Sequence, residues 1–339
     1  MKYCSILIVN WNSWDLLYDC LTALSKQTYR NFKVIVFDNA SDQAPPDKIF
    51  TIFPDLKLVQ SEKNIGFACA NNRLLELVNE QEWVVFLNPD VIPQNDWLEQ
   101  LIKASENYPQ FSCFGSRLLM FENPSLIDGV GDIYHLSGLA WRRGHGQNFC
   151  TETKIFREVF STCAAAAMCR RDAIQAVGGF DEDFFCYFED VDLGFRLRLA
   201  GYRSLSVPTS VALHHGYGTT GSRHSEAAVY YGHRNLVWTY IKNMPGFMFW
   251  LFLPLHIILN VATIVYFVLH NRYDVIIRSK KDAICGIPLI WRKRIEIQAK
   301  RKISFFRIFT LMDKHPLPRI SKLNGWLGKY FKPALVKPL

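Results

Sequence analysis

The chain carries nine cysteines among its 339 residues but no CxxC pair and no paired zinc spacing. Their scatter and odd number argue against a disulfide framework or a structural zinc site, and predict reduced thiols in a cytosolic setting. Glycine is missing from Ile8-Val9-Asn10-Trp11-Asn12-Ser13-Trp14, where a first strand hands over to a first helix. Without GxGxxG at that turn there is no pyrophosphate cradle, which disfavours a nicotinamide dehydrogenase. The opening apolar run, Ser5–Val9, is too short for a signal peptide, and Asn10-Trp11-Asn12 stands where cleavage would fall, so no signal peptide is expected. Internal repeats and low-complexity linkers are lacking as well.

Charge is absent from one long stretch. Phe247 to Leu269 is 23 residues without an ionisable Asp, Glu, Lys or Arg. At about 1.5 Å per residue it matches roughly 30 Å of hydrocarbon. Pro254, His256 and Asn260 weaken a spanning reading, and Pro254 is expected to divide the run into pieces too short to cross alone. Charge then returns with one sign. From Arg272 onward there are 17 Lys and Arg against 4 Asp and Glu, whereas the preceding residues are net acidic, although the whole chain is +8. The positive-inside rule places this basic tail on the cytoplasmic side. An acidic first part using a cytosolic substrate belongs on that side too, and one crossing cannot satisfy both. The expectation is a segment lying in or dipping into the inner leaflet, with the tail on anionic headgroups. A buried pair of core helices is the alternative. No nucleic-acid partner is expected, because no recognised nucleic-acid fold surrounds the Trp291–Arg294 and Lys300–Lys302 clusters.

With 49% hydrophobic and 14% aromatic residues, the chain has ample material for a core. Its first ninety residues alternate β-branched runs with amphipathic segments. Strands are expected at Ser5–Trp11, Lys33–Asn39, Leu56–Glu62 and Trp83–Asp90, and helices at Trp14–Lys26 and Ala68–Asn79. That rhythm implies an α/β fold with a mostly parallel sheet and helices on both faces. Ligands of such sheets sit beyond the carboxyl ends of the strands, where Asn10, Asp38-Asn39 and Asn88-Pro89-Asp90 fall. Further along, Asp128-Gly129-Val130-Gly131-Asp132 and Arg142-Arg143-Gly144-His145-Gly146 read as turns. The small residues of Thr162–Met168 allow another backbone or a ligand to come close.

The segment Gly178–Arg196 is the most informative. Asp181, Glu182, Asp183, Glu189, Asp190 and Asp192 are threaded between Phe180, Phe184, Phe185, Tyr187, Phe188 and Phe195. Carboxylates in an apolar frame are the usual arrangement for a general base or a cation site. A capped helix is the structural alternative, begun by Asp181 to Asp183, with Glu189 and Asp192 paired to Arg196 and Arg198.

Taken in order, Ile8–Asn12, Val36-Phe37-Asp38-Asn39-Ala40-Ser41, Asn64-Ile65-Gly66-Phe67-Ala68, Asn88-Pro89-Asp90-Val91, Gly178–Arg196, His214-His215 and Arg234-Asn235 resemble glycosyltransferase family 2, over about residues 3–245. The resemblance implies a GT-A fold, with residues 1–245 as catalytic domain and 246–339 as a hydrophobic, basic membrane-associating region. It implies inverting sugar transfer from a nucleotide-sugar donor, with dTDP-L-rhamnose first and UDP-sugars next, to a lipid-linked saccharide at the cytoplasmic face of the inner membrane. Mg²⁺ or Mn²⁺ is the implied cofactor. Asp190 matches the catalytic base. Asp90 matches the last acid of the family's DxD motif and would meet the metal, with His214 or its neighbour His215 completing the site and His214 preferred. Asn10, Asp38, Asn64, Gly66 and Asn88 fall where the donor nucleotide is contacted. Glu189 would help bind acceptor, and Arg234 would steady the diphosphate or simply lie on the surface. Asn88 departs from the family's first acid. It leaves open a membrane-bound saccharide-binding or scaffold protein that has lost turnover.

Overall fold

A computed structural model describes residues 2–79, 83–150, 155–216 and 225–315. The part of the basic tail beyond residue 315 lies outside the described residues. The main sheet orders its strands as Arg157–Val159, Ser204–His214, Cys113–Met120, Ala166–Arg170, Trp83–Leu87, Cys4–Asn10, Phe32–Asp38 and Lys57–Gln60. Six of these eight point one way; Arg157–Val159 and Ala166–Arg170 run against them. Val91–Pro93 and Asn123–Gly129 pair antiparallel at the flanks, with Ser204–His214 and Cys113–Met120 respectively.

The sheet is buried on both faces because its strands are apolar at consecutive positions. Ile6, Ile8, Val34, Val36, Val85 and Leu87 enter one core with the helices Trp14–Ser25 and Trp97–Asn107. Their neighbours Leu7, Val9, Ile35, Phe37, Val84 and Phe86 enter the other, with Phe67–Leu75 and Glu189–Leu199. Side chains alternate across a strand, so uninterrupted apolar runs feed two layers at once. The expected strands and helices of the first ninety residues are present, with ends shifted by a few residues.

A third core joins Tyr134, Phe160, Phe184 and Phe195 to Trp238 and Tyr240 of the helix Glu226–Asn243. Met248, Phe249, Ala283, Ile290 and Ile308 of the following helices share it. The first of those helices, Gly246–Leu269, is unbroken at Pro254, contrary to the expected division. Proline removes one intrahelical hydrogen bond, and Phe252, Leu253 and Leu255 pack on the third core to either side of it. This helix is long and apolar enough to cross a membrane, yet Met248, Phe249, His256, Thr263 and Phe267 are buried along one stripe.

The acidic segment is not one helix started at Asp181 but two separate pieces, the second without a side-chain cap. Asp181 caps a short 3₁₀ turn, Glu182–Phe184, and Glu189–Leu199 is an α-helix. Asp192 is fully buried between Arg196 Nε at 2.8 Å and Lys242 Nζ at 2.8 Å. Asp181 also meets Lys242, and Lys293 ties Asp181 to Asp183. Arg198 pairs with Glu158 rather than with Glu189, because the strand bearing Glu158 brings it alongside. Three of the carboxylates are thus structural. Replacing Lys242 by alanine leaves Asp192 and Asp181 buried with part of their counter-charge removed. That should cost about 3–5 kcal/mol. Urea unfolding of Lys242→Ala checks this; a midpoint like that of the parent chain would show the pairs to be dispensable.

Candidate active site

The carboxyl ends of the central strands form the rim of the site. Asn10 and Asp38 are register partners at the ends of adjacent strands, and both are buried. Ser41 Oγ donates to Asp38 Oδ1 at 2.6 Å, fixing the carboxylate at the strand end. Asn39 Nδ2 donates to Asn64 Oδ1 at 2.9 Å, and the same Asn64 oxygen accepts from Gly66 N at 2.9 Å. Gly66 has φ +85°, and a Cβ there would fall 2.6 Å from the Phe185 ring. Ala68 N also donates to Phe185 O at 3.1 Å. The loop bearing Asn64 is therefore seated on the acidic segment, and only glycine allows that approach.

Asp190 reaches the rim through the small-residue stretch. Its Oδ2 accepts from Ala164 N at 3.2 Å and its Oδ1 from Val191 N at 2.8 Å. The next residue, Ala165, accepts from Asn88 N at 2.9 Å, so Asp190 and Asn88-Pro89-Asp90 are neighbours across one stretch of backbone. Gly194 lets this helix lie against the segment before Ala164, since a Cβ would meet the Ser161 Cβ at 2.2 Å. Just ahead of Glu189, Phe185, Tyr187 and Phe188 all have φ between 63° and 67°. Each costs about 1–2 kcal/mol for an L-residue. Asn235 holds the strained turn, donating from Nδ2 to Phe184 O, Cys186 O and Tyr187 O. Arg234 joins it, with Nη2 on Asp183 O at 2.8 Å and its guanidinium 4.1 Å over Trp238. In this structure Arg234 is committed to the turn that delivers Glu189 and Asp190, and is neither an idle surface arginine nor a free cation.

Asp90 and His214 also meet. His214 Nε2 stands 3.5 Å from Asp90 Oδ1, and its Nδ1 lies 2.7 Å from Asp128 Oδ2. His215 turns elsewhere: its ring stacks on Phe121 at 3.6 Å, while its backbone N donates to Asp90 O. Asp128 also pairs with Arg142 and accepts from His145. Burial pushes the Asp128 carboxyl up, but Arg142, His145 and His214 more than reverse this and hold it far below the usual range. Burial likewise opposes protonation of His214, and hydrogen bonding to Asp128 and Asp90 outweighs it, raising its pKa. An imidazole backed by a carboxylate is the common orientation of a metal-ligating histidine. Among the described residues no group of three or more His, Cys, Asp or Glu forms a metal site. Two protein ligands suit a Mg²⁺-type ion that completes its shell with substrate phosphates and water. Asp90 and His214 fit that role.

Asp128, Asp132, Arg142 and His145 had read only as turn residues. The hairpin of Asp132–Tyr134 with Ala140–Arg142 places them beside His214 and Asp190. Asp132 accepts from Ser161 Oγ at 2.8 Å. Its pKa is pushed up to about 7, first by burial and then by the Asp190 charge. The folded value lies above the unfolded one of about 3.9, so the folded state holds the extra proton, and stability falls as pH rises from about 4 to about 7. Asp132→Asn should flatten that fall. Urea midpoints across this window check it; equal slopes for variant and parent would contradict it. Glu189 is raised well above the usual carboxyl range, again by burial first and the Asp190 charge second. Among the described residues its Oε2 is buried without a partner, as are Asn10 Oδ1 and Asn88 Oδ1.

A mixed sheet of this order, with carboxylates and a histidine gathered at its rim, defines the GT-A class of sugar-transferring enzymes. The model of "Glycosyl transferase family 2" matches residues 5–178, and that of "Glycosyl transferase family group 2" matches residues 124–272. The chain belongs to glycosyl transferase family 2 and is a glycosyltransferase. It is 29% identical over 238 residues to an N-acetylglucosaminyl-diphospho-decaprenol L-rhamnosyltransferase of Mycobacterium tuberculosis, covering 64% of this chain and 77% of the relative. It is 30% identical over 234 residues to the rhamnosyltransferase WbbL of Escherichia coli, covering 66% and 87%. Among solved structures, a mannosyltransferase of Pyrobaculum calidifontis in complex with GDP-Man and Mn²⁺ aligns over 98% of this chain and 81% of its own, with TM-score 0.52 and 16% identity. GalNAc-T7 with UDP, GalNAc and Mn²⁺ aligns with TM-score 0.58 and 15% identity over 71% of this chain, which spans 48% of that one.

Proposed function

We propose that this enzyme transfers L-rhamnose, with inversion, from dTDP-L-rhamnose to a hydroxyl of a lipid-linked saccharide during cell-surface polysaccharide assembly. What supports the reading is that Asp38 ends one strand of the parallel set, while Asp90 with His214, and Asp190 through Ala164, gather at the same carboxyl edge of the sheet. The sugar and acceptor follow from the rhamnosyltransferase names of its relatives. The strand-end Asp38, with Asn10, Asn64 and Gly66, receives the nucleoside. The unpaired Asn10 Oδ1 and Asn88 Oδ1 are acceptors suited to donor N–H or hydroxyl groups. Asp190, aimed by two backbone amides, takes the acceptor hydroxyl's proton as that oxygen bonds to the anomeric carbon and the diphosphate departs with the electron pair of the broken bond. A Mg²⁺ or Mn²⁺ ion held by Asp90 and His214 would neutralise charge on the leaving diphosphate. Glu189, whose neutral form its buried surroundings favour, donates a hydrogen bond to the acceptor saccharide.

Residues 1–245 act as the catalytic unit, and residues 246–339 attach it to the inner leaflet. The helix Gly246–Leu269 lies along the protein, with His256 Nδ1 2.7 Å from Ser137 O and Asn260 Oδ1 2.6 Å from Lys280 Nζ. A perpendicular crossing would carry those partners into hydrocarbon, whereas an in-plane helix leaves them at the surface. Its outer side presents Phe247, Trp250, Ile258, Val261 and Leu269, all more than half exposed.

The test is transfer from dTDP-L-rhamnose to an N-acetylglucosaminyl-diphospho-lipid, with Mn²⁺ present or chelated by EDTA. Transfer that stops with EDTA is expected. Binding of donor and acceptor without turnover would favour the scaffold reading instead.

A further inference from the structure

A cleft of about 340 Å³ opens between the start of the helix Gly246–Leu269 and the helix Ile287–Ala299, lined by Gly246, Trp291, Arg294, Ile295, Gln298 and Arg301. No carboxylate lines it. Arg294 is only 8% exposed, and its Nη1 donates to Ile241 O at 2.7 Å and Met244 O at 2.6 Å. Its other nitrogens have no protein hydrogen-bond partner, and it has no acidic partner, among the described residues. Arg301 Nη1 is buried and likewise unpaired among the described residues. The Arg294 guanidinium, stacked 4.6 Å over Phe249, and the single atom Arg301 Nη1 are withdrawn from water without a counter-charge among the described residues, which is costly unless an anion completes them. Burial accordingly lowers the Arg294 pKa to about 10. The same cleft receives the amino end of a 24-residue helix that no side chain caps, adding its dipole.

We propose that this cleft binds the phosphodiester headgroup of an anionic phospholipid of the bilayer, between Arg294, Arg301 and the N-terminus at Gly246. The apolar surface beside it supports that occupant over a soluble anion. Phe247, Trp250 and Ile295 flank the opening and are 65%, 62% and 61% exposed, so an acyl chain leaving the headgroup meets side chains rather than water. Gln298 Nε2 donates to Asn243 O, while its Oε1 is buried and unpaired, an acceptor for a headgroup hydroxyl. Phosphatidylglycerol combines that hydroxyl with the negative charge. The site would fix the rotation of the protein on the membrane plane. The inference rests on the membrane-surface placement proposed above and is independent of the catalytic assignment.

The test is flotation of the full chain with phosphatidylcholine vesicles, with and without phosphatidylglycerol. Because Arg294 also ties two backbone carbonyls, the variants are made at Arg301, just past the helix Ile287–Ala299, with Arg292, on that helix and outside the cleft, as control. Arg301→Gln should lower partitioning onto phosphatidylglycerol vesicles about tenfold or more, as loss of a charged hydrogen bond does. Arg301→Lys, which keeps the charge but not the planar fork, should still lose several-fold. Arg292→Lys should match the parent chain. Inorganic phosphate at constant ionic strength should not displace the protein. Full binding by Arg301→Lys, equal losses for Arg301→Gln and Arg292→Gln, or displacement by phosphate would overturn the site while leaving membrane attachment standing. Failure to float with any vesicle would overturn the attachment as well, and transfer measured in detergent would be untouched by either result.

Discussion

Asp190→Asn should reduce turnover by about 10²–10⁴-fold, the range expected when a positioned general base is removed, while donor affinity stays near that of the parent chain. The substitution is nearly isosteric, but an amide can satisfy only one of the two backbone N–H groups, Ala164 N and Val191 N, that hold the carboxylate. Glu189→Gln is the informative companion. Burial and the Asp190 charge raise the Glu189 pKa and favour its neutral acid, which an amide resembles, so turnover should change far less. Single-turnover transfer assays and donor titrations separate the two. If Glu189→Gln abolishes transfer and Asp190→Asn does not, the base has been assigned to the wrong member of the pair.

The second large effect is expected away from the reacting atoms. Asp128→Asn should raise the Mn²⁺ concentration needed for half-maximal transfer by about 10–100-fold, as loss of a carboxylate behind a ligating histidine does. Asp90→Ala should weaken metal-dependent donor binding further, because it removes a ligand and not its support. His215→Gln should leave the metal requirement unchanged, since its ring packs on Phe121 and not toward Asp90. Titrating Mn²⁺ in the transfer assay reads all three. An unchanged requirement in Asp128→Asn, or a shift in His215→Gln, would displace His214 from the site.

Much of this fold was legible because the strands are apolar at consecutive positions. Ile6 to Val9 and Val34 to Phe37 can only be buried on both sides, which signals a sheet covered by helices. The segment Gly178–Arg196 stood out for the same kind of reason, since carboxylates among aromatics require partners. Which partners was not legible. Lys242 and Asp192 lie fifty residues apart and meet only when the helix Glu226–Asn243 packs on Glu189–Leu199. Asp128 and Asp132 were hidden by their glycines, because Asp128-Gly129-Val130-Gly131-Asp132 carries the signature of a turn. The contacts that matter, Asp128 with His214 and Asp132 beside Asp190, are set by tertiary pairing. Pro254 misled in the other direction. Local chemistry predicts a break, and packing on both sides of it maintains one helix.

Anomalous diffraction from crystals grown with Mn²⁺ and deoxythymidine diphosphate locates the metal and the nucleotide in one experiment. One manganese peak is expected between the Asp90 carboxylate and His214 Nε2, with thymine at Asp38 and the diphosphate on the side facing Asp190. A metal bound elsewhere, or a nucleotide in a cavity that Asp90 and Asp190 do not share, would contradict it.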